Sequence, residues 1–311
     1  MNTSSSPLVV DMRGVTKRFG DRTVLDDVEL RVPRGCAFGF LGPNGAGKTT
    51  LIRVLLGLLP VSAGEMTLLG HPLPAERSLA LARVGAIVEE PRFHPHLTGR
   101  ENLAAAAAPR GIEAEGRIDA VIARVGLAGR AGDRVGSYSM GMRQRLGIAR
   151  CLLVDPELLI LDEPMNGLDP AGILEMRGLI RDFVDEGRTV LLSSHLLDEV
   201  ERTCDGVAII DRGRIVTQGT LAEAVGAGDN AILVGSDDPA LAAALLTAHP
   251  AVIAVSTGAD GSIRVTLTEG ASAAVINRAL VERGIAVHRL EPDRLSLEER
   301  FLELTSRLGA A

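Results

Sequence analysis

Residues 36–50 read CAFGFLGPNGAGKTT. The apolar run 36–41 has the length and composition of a buried strand, and it empties into the glycine-rich loop 42–47. After the loop, LIRVLLGLL (51–59) has helical periodicity. A strand, a glycine loop and a helix in that order make an anion cradle. Glycines let successive backbone amides turn inward, and the helix N-terminus adds partial positive charge. The pattern G-x-x-x-x-G-K-[ST] is filled by Gly42, Pro43, Asn44, Gly45, Ala46, Gly47, Lys48 and Thr49, with Thr50 following. Lys48 is placed to reach the β- and γ-phosphates of a nucleotide, and Thr49 to hold Mg²⁺. The choice of lysine is informative. Among 33 basic residues of the Lys and Arg types, Lys stands only at 17 and 48. A compact ammonium fits inside such a loop where a planar guanidinium does not.

A second signal is LLILDEP (158–164), a hydrophobic strand that ends in Asp162 and Glu163. Ligands bind at the carboxyl ends of strands in open parallel sheets. Asp162 is placed to hold Mg²⁺ through water, and Glu163 to orient and deprotonate an attacking water. An acidic pair after a strand is by itself more often a cap or a loop; the phosphate loop upstream reverses that preference. No NKxD or TKxD motif is present, which disfavours a guanine-specific switch.

The pattern around these motifs alternates strands with helices, as a parallel sheet covered on both faces requires. Residues 8–16 and 24–32 read as strands joined at Gly20-Asp21, and 64–70 and 83–88 as further strands. From about 95 to 155 the character is helical. Thr98 and Glu101 form a capping box, Ile118, Val121, Ile122 and Val125 make a stripe, and a third helix covers about 141–154. Asp169-Pro170 opens another helix, TVLLSS (189–194) is a strand, and 205–219 is a hairpin. GAGDN (226–230) reads as a linker, which divides the chain into domains 1–225 and 226–311. The second domain has the order β-α-β-β-α-β, followed by a helix capped by Ser296 and Glu299 with Phe301, Leu304 and Leu308 as its stripe.

Composition narrows the function. The 311 residues carry a net charge of −7, and aromatic residues make up 2%. Neither suits a protein that wraps nucleic acid by bulk charge or stacks on bases. No stretch approaches about 18 uninterrupted apolar residues, the length of a membrane span. Cys36, Cys151 and Cys204 lie far apart and form no metal or disulfide pattern, which points to a reducing compartment.

Between and after the two motifs stand SYSMGMRQRLGIAR (137–150), NGLD (166–169) and SSHLLDEVE (193–201). With them the chain resembles the ATP-binding subunit of an ABC transporter over residues 8 to about 220. The order matches: aromatic A-loop, Walker A, Q-loop, signature, Walker B, D-loop and switch histidine. The resemblance implies a P-loop NTPase core. Its parts are a RecA-like parallel sheet, an antiparallel β subdomain and the helical insertion, with the small α+β domain appended. It implies ATP and Mg²⁺ as ligands, and ATP hydrolysis coupled to transport. Its partners would be a second copy bound head to tail and a separate membrane-spanning permease, and its place the cytoplasmic face of the membrane. Phe19 would stack on adenine. Ser139 and Gly141 would touch the γ-phosphate across the dimer, Asp169 would link the two sites, and His195 would contact the γ-phosphate and the attacking water.

Two departures stand out. Met140 replaces the first glycine of the LSGGQ pattern, and the Q-loop glutamine becomes Glu89, which could ligate Mg²⁺ through its carboxylate. A register with Glu90 in that place is the alternative; the strand GAIV before it favours Glu89. These departures, with PHLTGRENL and SLEERFLELT, resemble the bacterial drug- and antibiotic-export branch of bacitracin, daunorubicin and lantibiotic-immunity type. A non-transport ATPase of the same family, acting as a regulatory or interaction module, is the competing expectation.

Overall fold

The computed structural model describes residues 8–225, 231–258, 261–268, 270–292, 297–298 and 301. The expected linker 226–230, and the capping residues Ser296 and Glu299 of the expected last helix, lie outside them. The chain forms two compact units, 1–221 and 222–311. Each has its own apolar cluster.

In the first unit, β1 (Leu8–Phe19) and β2 (Arg22–Pro33) form an antiparallel hairpin. Gly20 makes the turn with φ of 56°. β3 (Ala37–Leu41) runs into the phosphate loop and α1 (Lys48–Leu55). The helix therefore begins earlier than the apolar periodicity alone suggests and ends at Leu55, and Gly57 takes φ of 62° just beyond. β4 (Ala63–Leu68) and β5 (His71–Leu73) complete a four-stranded sheet in the order β2-β1-β4-β5. Then come α2 (Arg77–Leu81) and β6 (Val84–Ile87).

Four helices follow before the next strand: α3 (Gly99–Ala107), α4 (Ile112–Gly116), α5 (Ile118–Arg124) and α6 (Met140–Leu152). The capping box at α3 forms in both directions. Thr98 Oγ1 accepts from the Glu101 amide at 3.1 Å, and a Glu101 carboxylate oxygen accepts from the Thr98 amide at 2.8 Å. Those bonds hold the Glu101 carboxyl below the usual carboxylate range.

Next along the chain come β7 (Leu158–Asp162), α7 (Pro170–Asp185), β8 (Thr189–Ser194), α8 (Leu197–Thr203), β9 (Gly206–Asp211), β10 (Arg214–Thr220) and α9 (Leu221–Val225). The second sheet has the order β10-β9-β3-β8-β7-β6. All its pairings are parallel except β9 with β10. Every residue of β3, β7, β8 and β9 is buried, as continuous apolar runs in a covered parallel sheet demand.

The second unit contains β11 (Ala231–Ser236), α10 (Pro239–Thr247), β12 (Val252–Thr257), β13 (Ile263–Leu267), α11 (Ala273–Val281) and β14 (Val287–Pro292). Its antiparallel sheet has the order β12-β13-β11-β14. Ile232, Val234, Ile263 and Val265 pack there with Leu246, Ile276 and Leu280.

The three thiols are free, and burial raises the pKa of each, to about 11 for Cys36 and Cys151. At neutral pH they are protonated and poor nucleophiles.

Two glycines give stability changes of opposite sign. A Cβ at Gly39 in β3 would lie 2.4 Å from Val200 Cγ1 of α8. Gly39→Ala should destabilise by about 1–3 kcal/mol through overpacking. Gly178 is exposed in α7 with nothing within 4 Å of a Cβ. Gly178→Ala should stabilise by about 0.5–1 kcal/mol. Chemical denaturation of both variants against the parent chain checks the pair.

Candidate active site

Parallel register brings three strand ends level. Leu41 of β3 pairs with Ser194 of β8, and Ser193 of β8 pairs with Asp162 of β7. The phosphate loop, the two carboxylates and His195 therefore leave the sheet side by side. Within the loop, Gly45 adopts φ of 81° and Gly47 of 112°. Gly42 is required for a different reason: a Cβ there would stand 2.4 Å from the Ile210 carbonyl oxygen.

The side chains converge on a cavity of about 630 Å³. Pro43, Asn44, Gly45, Gly47, Lys48, Thr49 and Thr50 form its loop wall, and Glu163, Asn166 and His195 face them. Lys48 is 7% exposed. Its Nζ donates to the Gly42 carbonyl at 2.7 Å and lies 3.5 Å from a Glu163 carboxylate oxygen. The other Glu163 oxygen is 2.7 Å from His195 Nδ1. A carboxylate only accepts, so that contact needs a proton on Nδ1 and leaves Nε2 free to meet a ligand. Glu163 itself has φ of 49°. A non-glycine residue held in that region costs about 1–3 kcal/mol, and such residues cluster at functional sites.

Behind Glu163, Asp162 is 3% exposed. Thr49 Oγ1 donates to its Oδ2 at 3.0 Å, and Ser193 Oγ donates to its Oδ1 at 2.6 Å. The hydroxyl of Thr49 and the carboxylate of Asp162 are hard oxygen donors beside a phosphate cradle. That donor set fits Mg²⁺, which takes few protein ligands, keeps several waters and uses substrate phosphates. Among the described residues there is no cluster of three or more His, Cys, Asp or Glu that could cage a metal alone.

Other expected site residues lie elsewhere. Phe19 is 47% exposed and does not line the cavity; Lys17 Nζ sits 4.8 Å from its ring centroid. Arg22 and Val24, two residues the sequence reading passed over, line the cavity instead. They alternate along β2 on the cavity side, whereas Phe19 ends β1. Glu89 is also outside the cavity. Its carboxylate pairs with Arg53 of α1 at 2.6 Å, and its backbone is left-handed with φ of 61°. Ser139 caps α6, accepting from the Met142 amide at 3.2 Å, and Asp169 caps α7, accepting from the Gly172 amide at 3.0 Å. A Cβ at Gly141 would find only Leu168, at 3.8 Å. Ala46 is buried within the loop.

The comparisons with known proteins agree with this geometry. The model of the ABC transporter family matches residues 25–166. An uncharacterized ABC transporter ATP-binding protein of Bacillus subtilis (strain 168), YhcH, is 41% identical over 300 residues, 96% of each chain. The chain belongs to the ABC transporter ATP-binding proteins. The bacitracin transport ATP-binding protein BcrA of Bacillus licheniformis is 39% identical, covering 95% of this chain and 97% of its own. A solved ATP-binding subunit of an ABC transporter superposes with a TM-score of 0.63 at 31% identity, over 70% of this chain and 91% of its own. The chain is thus an ABC ATPase.

Lys48 sits nearly buried within that cradle. Lys48→Ala should weaken ATP binding by more than about tenfold, in line with the loss of charge-assisted hydrogen bonds. Lys48→Arg should fail similarly, since the loop must admit a larger, planar group. Fluorescent-nucleotide titration measures both; unchanged affinity would remove Lys48 from the phosphate site.

Proposed function

We propose that this ABC ATPase drives export of a drug, antibiotic or related hydrophobic compound through a separate membrane-spanning subunit. The likeness to the bacitracin transport protein supports the substrate class. Among the described residues no helix is long and apolar enough to cross a membrane. A separate permease would supply the path, with this subunit at the cytoplasmic face of the membrane. Nothing observed favours the reading of a regulatory module without transport.

The observation that carries the chemistry is the Glu163 carboxylate, held 2.7 Å from His195 and 3.5 Å from Lys48 at the mouth of the cradle. From there Glu163 orients a water and takes its proton as the water attacks the γ-phosphate. His195 fixes the carboxylate through Nδ1; a phosphate oxygen only accepts, so a contact through Nε2 calls for the imidazolium form, with a proton on each ring nitrogen. Lys48 moves from the loop carbonyls to the phosphate oxygens and offsets their charge. Bound Mg²⁺, held by Thr49 and Asp162, would neutralise charge that develops on the phosphate oxygens. For Glu89 to reach the metal, its pair with Arg53 must open.

Ser139, Gly141 and Asp169 do not line the cavity of their own chain. In the proposed assembly two copies meet head to tail, and the α6 N-terminus of one closes on the ATP of the other. The two caps made by Ser139 and Asp169 keep these loops in place for that contact.

Glu163→Gln keeps the shape of the site and removes the base. ATP binding should persist and turnover should fall by about 10²–10⁴-fold. A stable dimer should accumulate with ATP on size-exclusion chromatography. Undiminished hydrolysis would show that Glu163 is not the base.

A further inference from the structure

Ser193 was not among the residues the motifs single out, yet its hydroxyl touches both acidic residues of the site. It is fully buried in β8, beside Asp162 in the parallel register. Its one proton goes to Asp162 Oδ1 at 2.6 Å, and its oxygen accepts from the Glu163 amide at 3.0 Å. A hydroxyl offers one donor and two acceptor positions, so donating to the carboxylate leaves the lone pairs for the amide. The two bonds act on consecutive residues. One fixes the plane of the Asp162 carboxylate. The other ties the peptide of Glu163, the residue with φ of 49°, to the neighbouring strand.

Thr49 is the only other described residue that hydrogen-bonds the Asp162 carboxylate. Its hydroxyl is also the group that would turn to a metal. Once it does so, Ser193 alone among these contacts holds Asp162 in orientation. Ser194 behaves differently. Its Oγ accepts from the Leu196 amide at 2.9 Å and closes a local turn instead. The two adjacent serines therefore have separate tasks.

We propose that Ser193 is a positioning residue of the ATPase reaction: its hydroxyl orients the Asp162 carboxylate toward Mg²⁺ and holds the Glu163 backbone in its left-handed turn. The proposal rests on the ATPase reading of the site. Partners that orient metal ligands are typically worth about 10–100-fold in metal affinity or activity. Ser193→Ala removes both bonds with little change in volume, Ser193→Thr keeps the hydroxyl, and Ser193→Cys fills the space with a weaker hydrogen-bonding group.

The test titrates Mg²⁺ against a fluorescent ATP analogue bound to the full chain, with ATPase kinetics beside it. In Ser193→Ala, nucleotide binding without Mg²⁺ should match the parent chain, which also reports an intact fold. The Mg²⁺ concentration for half-maximal tight binding should rise about tenfold or more, and kcat should fall about 10–100-fold with less than about threefold change in KM. Ser193→Thr should recover most of both, and Ser193→Cys should lie between. Ser194→Ala should leave the Mg²⁺ midpoint where it is. An unchanged Mg²⁺ midpoint in Ser193→Ala overturns the proposal, even if thermal stability drops. Equal shifts in Ser193→Ala and Ser194→Ala overturn it too, because they indicate general loosening of the strand. If the parent chain shows no Mg²⁺-dependent nucleotide binding, the ATPase reading itself fails.

Discussion

The site depends on the parallel pairing of β3, β7 and β8, whose carboxyl ends finish at the same level. A slip of one residue in that register would turn Asp162 and Ser193 to opposite faces of the sheet. All three strands are buried along their whole length, so the site rests on the floor of the core. The apolar sheet thus does for the polar site what no hydrogen bond could do alone: it sets the height of the phosphate loop, the carboxylates and His195 relative to one another.

Charge compensation is the second constraint. Lys48 and Asp162 are nearly buried, and a buried charge is costly unless it is paired and hydrogen-bonded. Lys48 answers with the Gly42 carbonyl and Glu163, and Asp162 with two hydroxyls. These partners occupy the positions that phosphate and metal would contest. The site is held ready by contacts that the ligands can replace. Glu89 belongs to the same pattern further out, where its pair with Arg53 is solvent-exposed and so easily opened.

Much of this was legible in the sequence. Alternating strand and helix patterns, the capping box at Thr98 and Glu101 and the spacing of the glycines depend on local chemistry, which the residues state directly. Lys48 was conspicuous because the chain uses arginine almost everywhere else. What escaped depends on tertiary geometry. Arg22 and Val24 line the cavity, although nothing in their local sequence marks them. Neither the pairing of Glu89 with Arg53 nor the left-handed backbone of Glu89 is announced by a local pattern. Ser193 opens the quoted stretch SSHLLDEVE, two residues before His195, but its two bonds exist only through pairing with β7.

The most direct test is a crystal structure of the full chain with ATP and Mn²⁺ in place of Mg²⁺, located by its anomalous signal. The account predicts a metal peak at Thr49 Oγ1 on the Asp162 side of the phosphate cradle, with Ser193 Oγ still bonded to Asp162. A peak away from Thr49, or an Asp162 carboxylate turned from both Ser193 and the metal, would contradict it.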